Sequence, residues 1–105
     1  MANPALTEAV YYILLSLVTP MHGYGIMQNT ELLSGGRVRI AAGTLYGAIN
    51  TLLEKGWIRA VSAETNSRKK EYVITNTGKE VLRLEVLRLS ELLENGKKIL
   101  EEERS

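Results

Sequence analysis

From Gly43 to Thr75 the chain reads GTLYGAINTLLEKGWIRAVSAETNSRKKEYVIT, and this succession restricts the fold more than any other stretch. At 100° per residue Leu45, Ile49, Leu52 and Leu53 fall on one side, which makes the first part a helix with one buried face. Gly56 closes that helix. Two short strands are expected at about 57–63 and 70–75, joined by the polar turn Glu64-Thr65-Asn66-Ser67. Tyr72 and Ile74 are the inward residues of the return strand, so they belong to the framework. Arg68, Lys69 and Lys70 follow the turn at once. A helix beside a basic hairpin can lay one element in a DNA groove and its neighbour on the phosphates.

The 105 residues allow one modest core and little room for a second domain. Cysteine is absent, which removes disulfides and thiolate metal sites. No basic segment leads into an apolar run at the N-terminus, and no apolar stretch approaches about 18 residues. The expectation is a soluble, cytoplasmic protein with no membrane partner.

The formal net charge of +1 becomes informative when it is divided along the chain. Arg37, Arg39 and Lys55 balance Glu8, Glu31 and Glu54 in residues 1–56. In residues 57–75 Arg59, Arg68, Lys69 and Lys70 outnumber Glu64 and Glu71. The last thirty residues are slightly acidic. The positive surplus therefore sits in the hairpin, as a local DNA-binding patch requires.

Upstream, Asn3-Pro4 suits a helix start, with Leu6, Val10, Ile13, Leu14 and Leu17 on its core face and Thr19-Pro20 at its end. Ala5, Glu8, Tyr12 and Leu15 form a second, mixed face. A second helix is expected over Gly23–Leu33, with Tyr24, Met27 and Leu32 or Leu33 pointing inward, and Ser34-Gly35-Gly36 breaking it. Arg37-Val38-Arg39-Ile40 alternates as a very short strand would.

The longest element starts near Thr77-Gly78-Lys79-Glu80, a capping box with Thr75 as the rival cap, and runs to about Glu103. Gly96 is its one interruption and costs roughly 1 kcal/mol relative to alanine. Leu82, Val86, Leu89, Leu93 and Leu100 make a heptad-like stripe. Val81, Leu84, Leu87, Leu92 and Ile99 fall outside it. Two apolar faces on one long helix need two partners, so the stripe is assigned to a homodimer interface. The fold class expected is mainly α with a small β-hairpin: a winged helix-turn-helix over residues 1–75 and a dimerisation helix over 76–105.

On the helix before Gly56, Thr44, Gly47 and Thr51 lie opposite the core face, flanked by Asn50, with Tyr46 at the edge. Asn50 has the geometry to pair bidentately with adenine, and the threonine hydroxyls to reach bases or phosphates. Gly47 is small enough for close approach to a groove floor. With no arginine on this face, direct readout is modest and affinity leans on phosphates and DNA shape. A plain solvated helix face is the competing reading of these residues, and the neighbouring hairpin weighs against it.

Thr44-Leu45-Tyr46, Leu52 to Ile58 (LLEKGWI) and Arg68 to Thr75 (RKKEYVIT), with His22-Gly23-Tyr24-Gly25-Ile26 upstream, resemble the signature of PadR-type transcriptional regulators over essentially the whole chain. The single tail helix is similar to the short-tailed subgroup. The resemblance implies a winged helix-turn-helix that binds operator DNA as a homodimer, usually represses, and is often released by a small aromatic or cationic molecule. It places Thr44, Tyr46 and Asn50 on the recognition helix and Arg68, Lys69 and Lys70 on the wing.

Tyr11, Tyr12, Val86, Leu89 and Leu93 are candidates to line an effector pocket on the dimer axis for a small apolar or aromatic molecule. A closed aliphatic interface that binds nothing is the competing reading, and the sequence leans towards it. Catalysis has little to stand on: His22 is the only histidine, aspartate is absent, and no cofactor or metal motif is present. His22 is read as a cap or packing residue. The alternative function is a winged-helix module that docks another protein without binding DNA.

Overall fold

The computed structural model describes residues 5–61 and 70–104. Helix α1 spans Glu8–Ser16, followed by strand β1 at Met21–His22 and helix α2 at Gly23–Leu33. Helix α3 is Ala42–Lys55, strands β2 and β3 are Ile58–Val61 and Glu71–Ile74, and helix α4 is Asn76–Arg104. The architecture is mainly helical with a small antiparallel sheet, a winged helix followed by a long C-terminal helix.

Each boundary has a local cause. Thr7 caps α1 by accepting from the Val10 amide at 3.1 Å, which starts that helix later than the expected Asn3-Pro4, a pair outside the described residues. His22 caps α2, its Nδ1 accepting from the Gly25 amide at 3.2 Å. Helix α3 ends in Gly56, whose φ of 75° is left-handed, and the Trp57 amide closes back onto the Leu52 carbonyl at 3.1 Å. Thr75, not Thr77, caps α4: its hydroxyl accepts from the Gly78 amide at 3.1 Å and donates to the Gly56 carbonyl at 2.7 Å. A side chain at Gly78 would run into the Trp57 carbonyl, so α4 can start this close to the end of α3 only on a glycine.

The sheet order is β1-β3-β2, with Ile58 opposite Ile74 and Met21 opposite Tyr72. The third strand is therefore Met21–His22 rather than the expected Arg37–Ile40. Strand β2 pairs along all of β3, and β1 covers the other side of β3 at Glu71 and Tyr72. Residues 37–41 form the α2–α3 connection instead, where Ile40 plugs the core while Arg37 and Arg39 pair with Glu8 and Glu31.

Ile13, Leu14, Leu17, Ile26, Leu45 and Ile49 form the centre of the core, with Tyr72 and Ile74 facing it from β3. Helix α2 is rotated from the sequence expectation. Gly23, Ile26 and Thr30 are buried, Met27 is half-buried, and Tyr24, Leu32 and Leu33 are exposed. Gly23 packs closely under Tyr46, where an added Cβ would lie 2.8 Å from Cζ of that ring. The inward face of α2 is the one that carries Gly23, Ile26 and Thr30.

The first turns of α4 pack on the body through Val81, Leu82 and Glu85. Beyond Glu85 no described side chain of α4 is buried. The radius of gyration, 16.2 Å, exceeds the roughly 13 Å of a compact domain this size because this helix protrudes. Among the described residues no helix is long and apolar enough to cross a membrane.

Candidate nucleic-acid interface

Helix α3 divides as its sequence directs. Leu45, Ile49 and Leu52 are buried, while Thr44, Tyr46, Gly47, Asn50 and Thr51 are exposed along the opposite face. Gly43 and Gly47 have nothing within 4 Å of the position a Cβ would take. Glycine in a helix interior costs about 1 kcal/mol relative to alanine, and packing inside this chain requires neither. The result is a smooth, exposed stretch of backbone. Thr51 donates to the Gly47 carbonyl at 3.2 Å, so its hydroxyl is engaged by its own helix.

Tyr46 is about half-exposed, with its ring tip seated against Gly23 at the start of α2. It ties the two helices while remaining accessible to solvent. Burial raises the affinity of the neighbouring Tyr72 hydroxyl for its proton, and Tyr46 adds to the effect. Ala41 precedes α3 without a side-chain cap, which leaves the first-turn amides of α3 no side-chain acceptor. Uncapped amides at the positive end of a helix favour an anion such as a phosphate.

The wing carries Arg59, exposed on β2, and Lys70, exposed immediately before β3. The sequence counted Arg59 in the basic surplus of the hairpin without naming it among the DNA-binding residues; it follows buried Ile58 and is exposed. Arg68 and Lys69 lie outside the described residues. Lys55 is occupied elsewhere, its Nζ resting 5.1 Å from the centre of the Trp57 ring, which is half-buried against the core. Arg37, in the connection leading into α3, is held by Glu8, whose carboxylate strengthens its grip on its proton, with Tyr12 contributing.

The face between α1 and α4 is open in the single chain. A groove of about 480 Å³ runs between Leu15 of α1 with Val18 just beyond it and Lys79, Leu82, Arg83, Val86 and Leu87 of α4. Of the five expected pocket residues only Val86 lines it. Tyr11 and Tyr12 meet edge to face, ring centres 5.8 Å apart, both half-buried. Leu89 and Leu93 lie farther along α4, exposed, as does Leu100.

Glu85 was not anticipated as a structural group. Its buried carboxylate accepts from Arg88 Nε at 2.8 Å and Nη2 at 2.6 Å, and from the Leu6 amide at 3.2 Å. The Arg88 hydrogen bonds hold its carboxyl below the ordinary glutamate range against the opposing effect of burial. Among the described residues no three potential ligand side chains gather as a metal site.

The fold recurs in known proteins. A PadR family transcriptional regulator from Eggerthella lenta is 28% identical, with 88% of this chain and 80% of that one covered at a TM-score of 0.71. A PadR family regulator from Clostridium difficile matches over 87% of this chain and 97% of its own at 20% identity and a TM-score of 0.69, which shows a shared fold. Bacillus subtilis PadR in complex with operator DNA is 27% identical over 70% of this chain and 44% of its own, at a TM-score of 0.58. No curated protein sequence matches the chain. The profile of the transcriptional regulator PadR-like family matches residues 12–84, the segment that contains the cap of α2, the glycine-smoothed α3, the wing and the glycine start of α4. This chain belongs to the PadR-like family of transcriptional regulators, which are not enzymes.

Proposed function

We propose that the protein is a homodimeric DNA-binding repressor that inserts α3 of each copy into a major groove and sets its wing on the adjoining phosphates. The observation that carries this reading is the exposed face of α3, where Gly43 and Gly47 serve no packing inside the chain and Thr44, Asn50 and Thr51 surround them. Asn50 reads a base edge, Thr44, Tyr46 and Thr51 position the helix, and Arg68, Lys69 and Lys70 hold the backbone. The operator-bound Bacillus subtilis relative supports the assignment. Residues 1–75 serve as the DNA-binding unit, and residues 76–105 join two copies through the stripe Leu82, Val86, Leu89, Leu93 and Leu100.

Repression follows by occlusion, because a dimer seated on an operator blocks other proteins from that face of the duplex. Where an effector acts, the candidate residues are Tyr11, Tyr12, Val86, Leu89 and Leu93, of which Val86 lines the groove between α1 and α4; a closed aliphatic interface that binds nothing is the reading favoured for this face. Such a molecule acts only by binding the DNA-incompetent dimer more tightly than the competent one.

The test is duplex binding against salt. Fluorescence anisotropy with labelled genomic fragments should show affinity falling steeply, by about 0.9 logarithmic units per neutralised phosphate for each tenfold rise in salt. A protein-docking module would show no duplex affinity at low salt, and that result overturns the proposal.

A further inference from the structure

The first 36 residues contain no lysine or arginine, so α1 and α2 bring neither to a duplex. This is unusual for the helix ahead of a recognition helix, which ordinarily crosses the phosphate backbone. A helix seated in a groove about 12 Å wide has phosphates along both lips. The wing offers Arg59 and Lys70 after the C-terminal end of α3. Ahead of its N-terminal end stand Arg37 and Arg39, the first basic side chains of the chain.

The connection that carries them is pinned. The Val38 amide donates to Ser34 Oγ at 2.9 Å, and the Arg37 amide to the Ser34 carbonyl at 3.2 Å. Val38 is half-buried and Ile40 is buried, so the alternation turns Arg37 and Arg39 outward. Arg39 is three residues from the start of α3, at most about 11 Å along the chain.

The only two acids of the first 36 residues, Glu8 and Glu31, each hold one of these arginines. The two pairs differ in kind. Arg37 is hydrogen-bonded to Glu8, and Tyr12 adds to its hold. Arg39 makes an ion pair alone: its Nε stands 3.5 Å from Glu31 Oε2, beyond ordinary hydrogen-bond length, with the two side chains 75% and 49% exposed. Its guanidinium therefore keeps its N–H donors uncommitted.

We infer that Arg39 binds a backbone phosphate at the N-terminal end of α3, and that Glu31 is its resting counter-anion, displaced when the duplex arrives. The inference rests on DNA binding through α3, as proposed above, and adds a second phosphate strand and an internal competitor for it. The exchange favours the duplex. A phosphate accepts two parallel N–H bonds from a guanidinium and releases condensed counterions when neutralised. Glu31 offers Arg39 a single solvated contact, of a kind that contributes little. Once displaced, the Glu31 carboxylate remains beside the phosphates and repels them, so it acts as a brake on affinity. Arg37 stays with Glu8.

Fluorescence anisotropy on one labelled genomic fragment, followed through a salt series, tests both halves. Arg39→Ala should weaken binding about three- to tenfold near 0.1 M salt and flatten the salt slope by about one unit, while Arg39→Lys keeps the slope. Glu31→Gln should strengthen binding about two- to fivefold, and that gain should vanish when Arg39→Ala is also present. An ion pair that only braces the connection gives the opposite sign, because Glu31→Gln then weakens binding and neither variant moves the slope. Repulsion that bypasses Arg39 leaves the Glu31→Gln gain intact in the double variant. Either result overturns the inference, as does a slope lost in Arg39→Lys, and all three leave DNA binding by the wild type standing. A wild type without duplex affinity at low salt overturns the DNA-binding reading itself.

Discussion

Gly47→Ala separates what the fold asks of α3 from what its ligand asks. A methyl at this position meets nothing within 4 Å, and φ is in the ordinary helical range, so the folded chain accommodates it without strain. Alanine lowers the cost of ordering the helix, and the expected gain is about 0.5–1 kcal/mol. For a domain of this size that raises Tm by about 2–8 °C, readable by circular dichroism. The same methyl stands on the face we assign to the DNA groove, between Asn50 and Thr44. If the backbone approaches bases there, the methyl holds α3 away and weakens duplex binding by about tenfold, or about 1.4 kcal/mol. Fluorescence anisotropy at fixed salt measures the loss. The two effects have opposite signs, so general misfolding cannot mimic them. A stabilised variant with unchanged affinity would remove this face from the interface. A destabilised one would mean that Gly47 serves a structural purpose after all.

Other perturbations address other links. Gly78→Ala drives a methyl into the Trp57 carbonyl and to 2.7 Å from Ile74 Cγ1, and should lower stability by about 1–3 kcal/mol in urea titration; a neutral result would mean that the α3–α4 junction gives way easily. Asn50→Ala should change which bases are preferred in a selection from random duplexes; lost affinity with the preference intact would reduce it to a positioning residue. Lys70→Ala should weaken binding to all duplexes alike and flatten the salt slope by about one unit, whereas an unchanged slope would take it off the phosphates. Glu85 has a lowered carboxyl pKa in the folded state, so its stabilisation is complete above the ordinary glutamate value near 4.3 and fades as pH falls from there through the lower folded value. Glu85→Gln should therefore cost stability at pH 7 and flatten the acid limb of the stability–pH curve; an unaltered limb would show that another carboxylate controls it.

Much of the fold was legible because its signals are local. Helix α2 has the expected bounds, set by the His22 cap and the Ser34-Gly35-Gly36 break, and Gly56 ends α3 in the left-handed turn its position suggested. The α3 pattern separated core from exposed face because its apolar spacing is unambiguous. Tertiary contacts decided what was missed. A two-residue strand at Met21–His22 has no periodicity to detect, and it exists because β3 offers an edge. Tyr24, Leu32 and Leu33 face outward because α2 packs through Gly23, Ile26 and Thr30, a face with one large apolar residue that no pattern within α2 marks. Thr7 and Asn3 were both fair caps by residue type, and the Glu85 bond to the Leu6 amide joins chain segments far apart in sequence. Glu85 looked like an ordinary surface residue of a long helix until α1 was packed against it.

Hydroxyl-radical footprinting of the protein on a fragment selected from its source genome is the most direct test of paired recognition helices on one duplex. Two protected patches on the same face, one helical turn or about 34 Å between centres, are the expected pattern. A single patch, or uniform cleavage in low salt at protein concentrations that saturate dimerisation, would contradict it.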